Sequence, residues 1–107
     1  MRKLSWYVAG PMTGYENNNH EAFDKAAEGL RSYGHKVTTP VEISRDNGWH
    51  ERTNIEDFAR ADIEIVLSVD ALFMLEGWEK SFGAKAEHAV AVWTGKKIYY
   101  ESSIDVD

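Results

Sequence analysis

Ser81, Gly83 and Glu87, within the run GWEKSFGAKAEHAVA, stand at a spacing that chemistry can use. The alanines and valines that follow Ser81 predict a helix over 81–94, capped by Ser81 and ended by Gly95. Its unpaired first N–H groups, with a serine hydroxyl and a glycine that lacks a side chain, make a seat for an anion. The same residues also describe an ordinary helix cap with a close-packing glycine. Glu87 follows Gly83 by about one turn. A carboxylate there is held rigidly and suits nucleophilic or acid–base work. A solvated helix glutamate has the same sequence signature.

Other candidates surround it. Gly10-Pro11-Met12-Thr13-Gly14 follows an apolar run. Its glycines allow either a tight turn or a close approach of backbone to ligand. It is neither a dinucleotide fingerprint nor a P-loop, because G-x-G-x-x-G and Gly-Lys-Ser/Thr are both absent. Asp62 and Glu64 fall on a predicted helix, Asp62 eight residues before Asp70. By spacing alone they also fit a solvated face. Trp78 and Trp49 fall in loops and could stack on a flat ring. His20, His35, His50 and His88 show no metal-ligand spacing, so neither a metal site nor a cofactor is expected.

These residues need elements to position them. Leu4–Ala9 reads as a buried strand ended by Gly10-Pro11, and a polar loop, GPMTGYENNN, follows. Apolar residues at helical spacing predict a helix over about 20–33, stopped by Gly34. A short strand at 36–39 ends at Pro40, and PVEISRDNGWHERTN reads as a long, lid-like loop. A helix over 55–68, a strand over 70–75, the helix over 81–94 and a strand over 97–100 complete the pattern, with a frayed tail SSIDVD. Strands alternating with helices predict one α/β domain over 1–107: a three-layer, flavodoxin- or Rossmann-like sandwich around a parallel sheet of four or five strands. Ligands in such sheets bind beyond the carboxyl ends of the strands, where the loops after the first three strands meet.

Composition narrows the partners. The chain has 107 residues, 43% hydrophobic and 28% charged, as in an ordinary globular domain. A net charge of −6 argues against long DNA or RNA. No apolar run is long enough for a membrane span, and the start lacks a signal-peptide h-region. The absence of cysteine fits a reducing cytoplasm, the host's if the chain is phage-encoded.

Three stretches together resemble the nucleoside 2-deoxyribosyltransferase superfamily, which includes the 2′-deoxynucleoside 5′-phosphate N-hydrolases. YVAGPMTG is similar to the superfamily's first-strand motif, and LRSYGHKVTTP to the end of its first helix and its second strand. VDALFML…GWEKSFGAKAEHAVA is similar to its signature, a strand opened by Asp before a Ser/Gly helix start and a catalytic Glu. YVAGPMTG with GWEKSFGA is more similar still to DUF4406, a small phage-associated domain family of unknown function. The resemblance implies Glu87 as nucleophile and Asp62 in proton handling and sugar contact. It implies Gly10, Pro11, Met12, Thr13, Gly14, Trp78, Ser81 and Gly83 against the substrate. The S-x-G-x-x-x-E spacing resembles the hydrolase branch, where the serine contacts a 5′-phosphate. The chain departs from its relatives in having four evident strands rather than five. It has His88-Ala89-Val90 after the glutamate, and Met12-Thr13 where the hydrolases carry a basic residue.

The implied reaction is cleavage of an N-glycosidic bond in a nucleoside or nucleoside 5′-monophosphate, by hydrolysis or base transfer. A carboxylate below C1′ stabilises the charge that builds on the sugar and can form a glycosyl-enzyme, while a second acid serves the departing base. The alternative is a nucleotide-binding protein without turnover, a sensor or sponge, with the same carboxylates holding sugar hydroxyls. A homodimer or higher homo-oligomer is expected, with apolar surface around Trp78, Phe82 and Trp93 against the partner.

Overall fold

The computed structural model describes residues 3–49 and 54–104. Strands β1 (Ser5–Ala9), β2 (Lys36–Thr38), β3 (Ala71–Met74) and β4 (Lys97–Tyr100) form one parallel sheet in the order β2-β1-β3-β4. The register pairs Trp6 with Val37, Val8 with Phe73 and Leu72 with Ile98. The chain moves from β1 to one side and then crosses to the other, so the crevice between the carboxyl ends of β1 and β3 is the switch point where such sheets take ligands.

Side chains on β1 and β3 alternate between two cores. Trp6, Val8 and Ala71 meet Phe23 and Ala27 of α1 (His20–Ser32) on one face. Tyr7, Ala9, Leu72 and Met74 meet Val66 of α3 (Ile55–Ser68) and Ala84 and Ala91 of α4 (Phe82–Trp93) on the other. This period of two sends Tyr7 toward α4, while α4's own periodicity turns Glu87 inward with Ala84 and Ala91. Asp70 lies at the opposite end of the sheet, where its Oδ2 accepts from Ser5 N (2.9 Å) and Ser5 Oγ (3.0 Å).

Two expectations are corrected. The stretch from Pro40 is not a plain loop, since Pro40–Asn47 forms a helix, α2. Thr39 Oγ1 accepts from Glu42 N (3.1 Å), Glu42 Oε1 accepts from Thr39 N (3.3 Å), and Pro40 stands at the first helical position. This capping box, with Val41 and Ile43 buried in the two cores, holds a helix of only eight residues. His50–Thr53 of that expected loop lie outside the described residues. The tail is helical at its start, α5 covering Glu101–Ile104, where Glu101 Oε1 accepts from Glu76 N (2.8 Å).

Candidate active site

Tyr7 is wholly buried on the central strand, and its hydroxyl donates to Glu87 Oε2 at 2.7 Å. Glu87 is 7% exposed, so the sequence alternative of a solvated helix glutamate is excluded. Burial raises the Glu87 carboxyl to about 8, the charge of Asp62 pushes the same way, and the Tyr7 hydrogen bond pulls back. Asp62, on α3, is raised to about 6, chiefly by burial. Its Oδ1 is buried without a hydrogen-bond partner among the described residues. Burial and the two carboxylates push the Tyr7 hydroxyl well above its ordinary value, so it remains a neutral donor. Two carboxyl groups this close in a poorly solvated site titrate as a pair, sharing one proton across neutral pH.

Both carboxylates line a cavity of about 930 Å³ at the carboxyl end of the sheet. The loop after β1 contributes Gly10, Met12 and Thr13, and α4 contributes Ser81, Gly83 and Ala84. Gly10 is required by packing, since a Cβ there would lie 2.7 Å from Leu75 Cβ. Ser81 Oγ accepts from Ala84 N at 3.1 Å, and Lys85 N donates to Ser81 O. In a helix capped in this way, the N–H groups of Phe82 and Gly83 have no acceptor within the helix and remain for an anion.

Three residues expected at the ligand do not line this cavity. Pro11 turns its carbonyl to Asn19 Nδ2 (2.9 Å). Gly14, at φ +87°, serves a turn facing open space. Trp78 stacks on His88 (ring centroids 4.3 Å apart, 27° between planes), and the His88 ring bonds the Tyr100 hydroxyl at 2.7 Å. Trp78 thus braces the back of α4 through the residue next to Glu87.

The wall includes residues that motif reading passed over. Trp49 lines it edge-on to Phe58, with ring centroids 5.0 Å apart. Arg45 and His20 line it as well, so α2 and the start of α1 supply the basic groups that the Met12-Thr13 loop lacks. Arg45 also pairs with Asp24 at 3.1 Å across exposed surface. Among the described residues no group of three or more His, Asp or Glu is arranged to hold a metal ion, and no helix is long and apolar enough to cross a membrane.

The fold is that of a solved structure characterised as a 2-deoxyribosyltransferase from the psychrotolerant bacterium Bacillus psychrosaccharolyticus. The TM-score is 0.72 at 23% identity over 90% of this chain and 70% of that one, which establishes likeness of fold. No curated protein matches the sequence. The family model for the domain of unknown function DUF4406 matches residues 4–100. Built on a 2-deoxyribosyltransferase-like fold, the chain belongs to the DUF4406 family.

Proposed function

We propose that the protein cleaves the N-glycosidic bond of a nucleoside or nucleoside 5′-monophosphate through a glycosyl-enzyme on Glu87. The observation that carries this reading is the buried Tyr7–Glu87 hydrogen bond, with Asp62 beside it in one cavity. The reactive form holds one proton on the pair. With Glu87 raised to about 8 and Asp62 to about 6, the proton rests mainly on Glu87; the Tyr7 donor favours the minor form, charged on Glu87 and protonated on Asp62, and that is the form that reacts. Glu87 attacks C1′ as the C1′–N bond breaks, and Asp62 gives its proton to the departing base. Water then attacks C1′, losing its proton to the Asp62 carboxylate, and Glu87 leaves as carboxylate; a second base in place of water completes transfer. The amides of Phe82 and Gly83 hold the 5′ end, about one turn from Glu87. A 2-deoxyribosyltransferase on the same fold supports a nucleoside as substrate.

A second reading has its own observation. A Glu87 carboxyl raised to about 8 is neutral for much of the physiological range, and a neutral carboxyl donates a hydrogen bond well. In a sensor or sponge that group would hold a sugar hydroxyl without turnover. A panel of ribo- and deoxyribonucleosides and their 5′-monophosphates, assayed by chromatography for free base, separates the two. Release of base supports the enzyme, whereas binding without release supports the sponge.

A further inference from the structure

The cavity has two walls with different chemistry. β2 and β3 flank β1 in the sheet. α2 starts directly after β2, with Thr39 as its cap, and the start of α4 follows β3. α3 packs against both helices and lies between them. The start of α4, with Glu87 one turn on, therefore forms one wall, and α2 with Trp49 forms the wall across from it. The two are about two strand spacings apart, roughly 10 Å. A nucleoside with C1′ at Glu87 and its 5′ end at the start of α4 extends its base toward α2. The edge of the base that meets α2 is the edge farthest from the sugar.

On that wall Trp49 and Phe58 supply apolar ring surface for a base. Arg45 is the only arginine or lysine lining the cavity among the described residues. Its guanidinium meets one side-chain acceptor there, Asp24 Oδ2 at 3.1 Å, and both side chains are about half exposed. An exposed pair of this kind contributes little, so Arg45 can exchange Asp24 for a ligand at small cost. A guanidinium has five N–H donors in a planar fork and no acceptor.

We propose that Arg45 reads the base, selecting a 6-oxopurine, guanine or hypoxanthine, through two parallel hydrogen bonds to O6 and N7. Guanine alone among the common bases presents two neighbouring acceptors on the edge away from the sugar. Adenine sets an amino donor beside N7, cytosine presents an amino group, and thymine presents one carbonyl beside a methyl. Each of these leaves a donor of the fork unmatched or faces it with another donor. The 5′ end makes no demand on Arg45, since the free amides of Phe82 and Gly83 lie on the opposite wall. The same contact aids cleavage: electron density passes into the ring as the C1′–N bond breaks, and donors already aimed at O6 and N7 hold it. The inference deepens the reading above and rests on a nucleoside being the ligand.

The test separates base choice from turnover. Calorimetric titration of full-length Glu87→Gln protein with guanosine, inosine, adenosine and cytidine, each in ribo and 2′-deoxyribo form, reads selectivity without cleavage. Guanosine and inosine of one sugar series should bind roughly tenfold to a hundredfold more tightly than adenosine and cytidine. Adding Arg45→Ala should abolish that ratio by weakening the 6-oxopurines alone. Adding Arg45→Lys, which keeps the charge but not the fork, should lose most of it. The same titrations with 5′-monophosphates should show the same ratios. Equal affinity for guanosine and adenosine, no binding by any of these nucleosides, or a loss in Arg45→Ala confined to monophosphates whatever their base would overturn the proposal. Wild-type base release is scored alongside: selective binding without release sinks the glycosidase and leaves the role of Arg45 intact, whereas release without selectivity does the reverse.

Discussion

Tyr7 on the central strand and Glu87 on α4 are eighty residues apart in sequence and joined by a 2.7 Å hydrogen bond in the core. Neither group is needed there for packing, since an apolar side chain fills such a space at lower cost. Tyr7 fixes one carboxylate oxygen and leaves the other for the cavity. A nucleophile needs that combination of one constrained atom and one free atom.

Tyr7→Phe keeps the ring and removes the donor. A hydrogen bond to a charged group contributes about 1.5–3 kcal/mol, so turnover should fall by roughly ten- to a hundredfold. The hydroxyl holds Glu87 down from the value that burial would give it. The alkaline limb of the rate profile, set by Glu87, should therefore move to higher pH. An unmoved limb at reduced rate would make Tyr7 structural only.

The pH–rate profile should be a bell, with limbs near the values to which Asp62 and Glu87 are raised, about 6 and about 8. Between them the pair carries one proton, which the mechanism needs; below, both carboxyls are neutral, and above, no proton remains for the base. Initial rates of base release across that range check it. A flat profile would remove the shared proton from the mechanism.

Stability should show the opposite preference for charge. A carboxyl raised from 4.5 to about 8 binds its proton more tightly folded than unfolded. Stability is therefore fully present below 4.5 and falls as pH rises through about 8. Glu87→Gln, neutral at every pH, should gain about 1–3 kcal/mol over wild type at alkaline pH and little or nothing in mild acid. Urea unfolding at both pH values measures the difference.

Much of the fold was legible because β1 and β3 alternate between two apolar faces and the helices that follow them carry a clear period. The helix α2 was not. Pro40 reads as the end of a strand and Asn47-Gly48 as loop, yet Thr39-Pro40-Val41-Glu42 already spells a capping box with proline at the first position. At the site, spacing singled out Ser81, Gly83 and Glu87, and all three line one cavity. It could not separate Asp62 from Glu64, because only the packing of α3 shows that Asp62 faces the cavity while Glu64 is exposed. Tyr7 was hidden for a similar reason: a tyrosine in LSWYVA reads as core until the helix opposite it is known. Arg45 enters from the helix that was not foreseen.

Ser81→Ala should have two separable effects. Loss of the cap to Ala84 N should cost about 1 kcal/mol of stability. If the start of α4 holds the 5′ end, KM should rise for a 5′-monophosphate and change little for the corresponding nucleoside. Equal changes in both would move the phosphate elsewhere.

Base release by Glu87→Gln protein tests the central claim most directly. Wild-type protein should liberate free base from at least one member of the nucleoside and nucleotide panel. Glu87→Gln, with nearly the same shape and with the helix start untouched, should still bind that compound but release base several orders of magnitude more slowly. Undiminished release by the variant would contradict the assignment of Glu87 as the group that attacks the sugar.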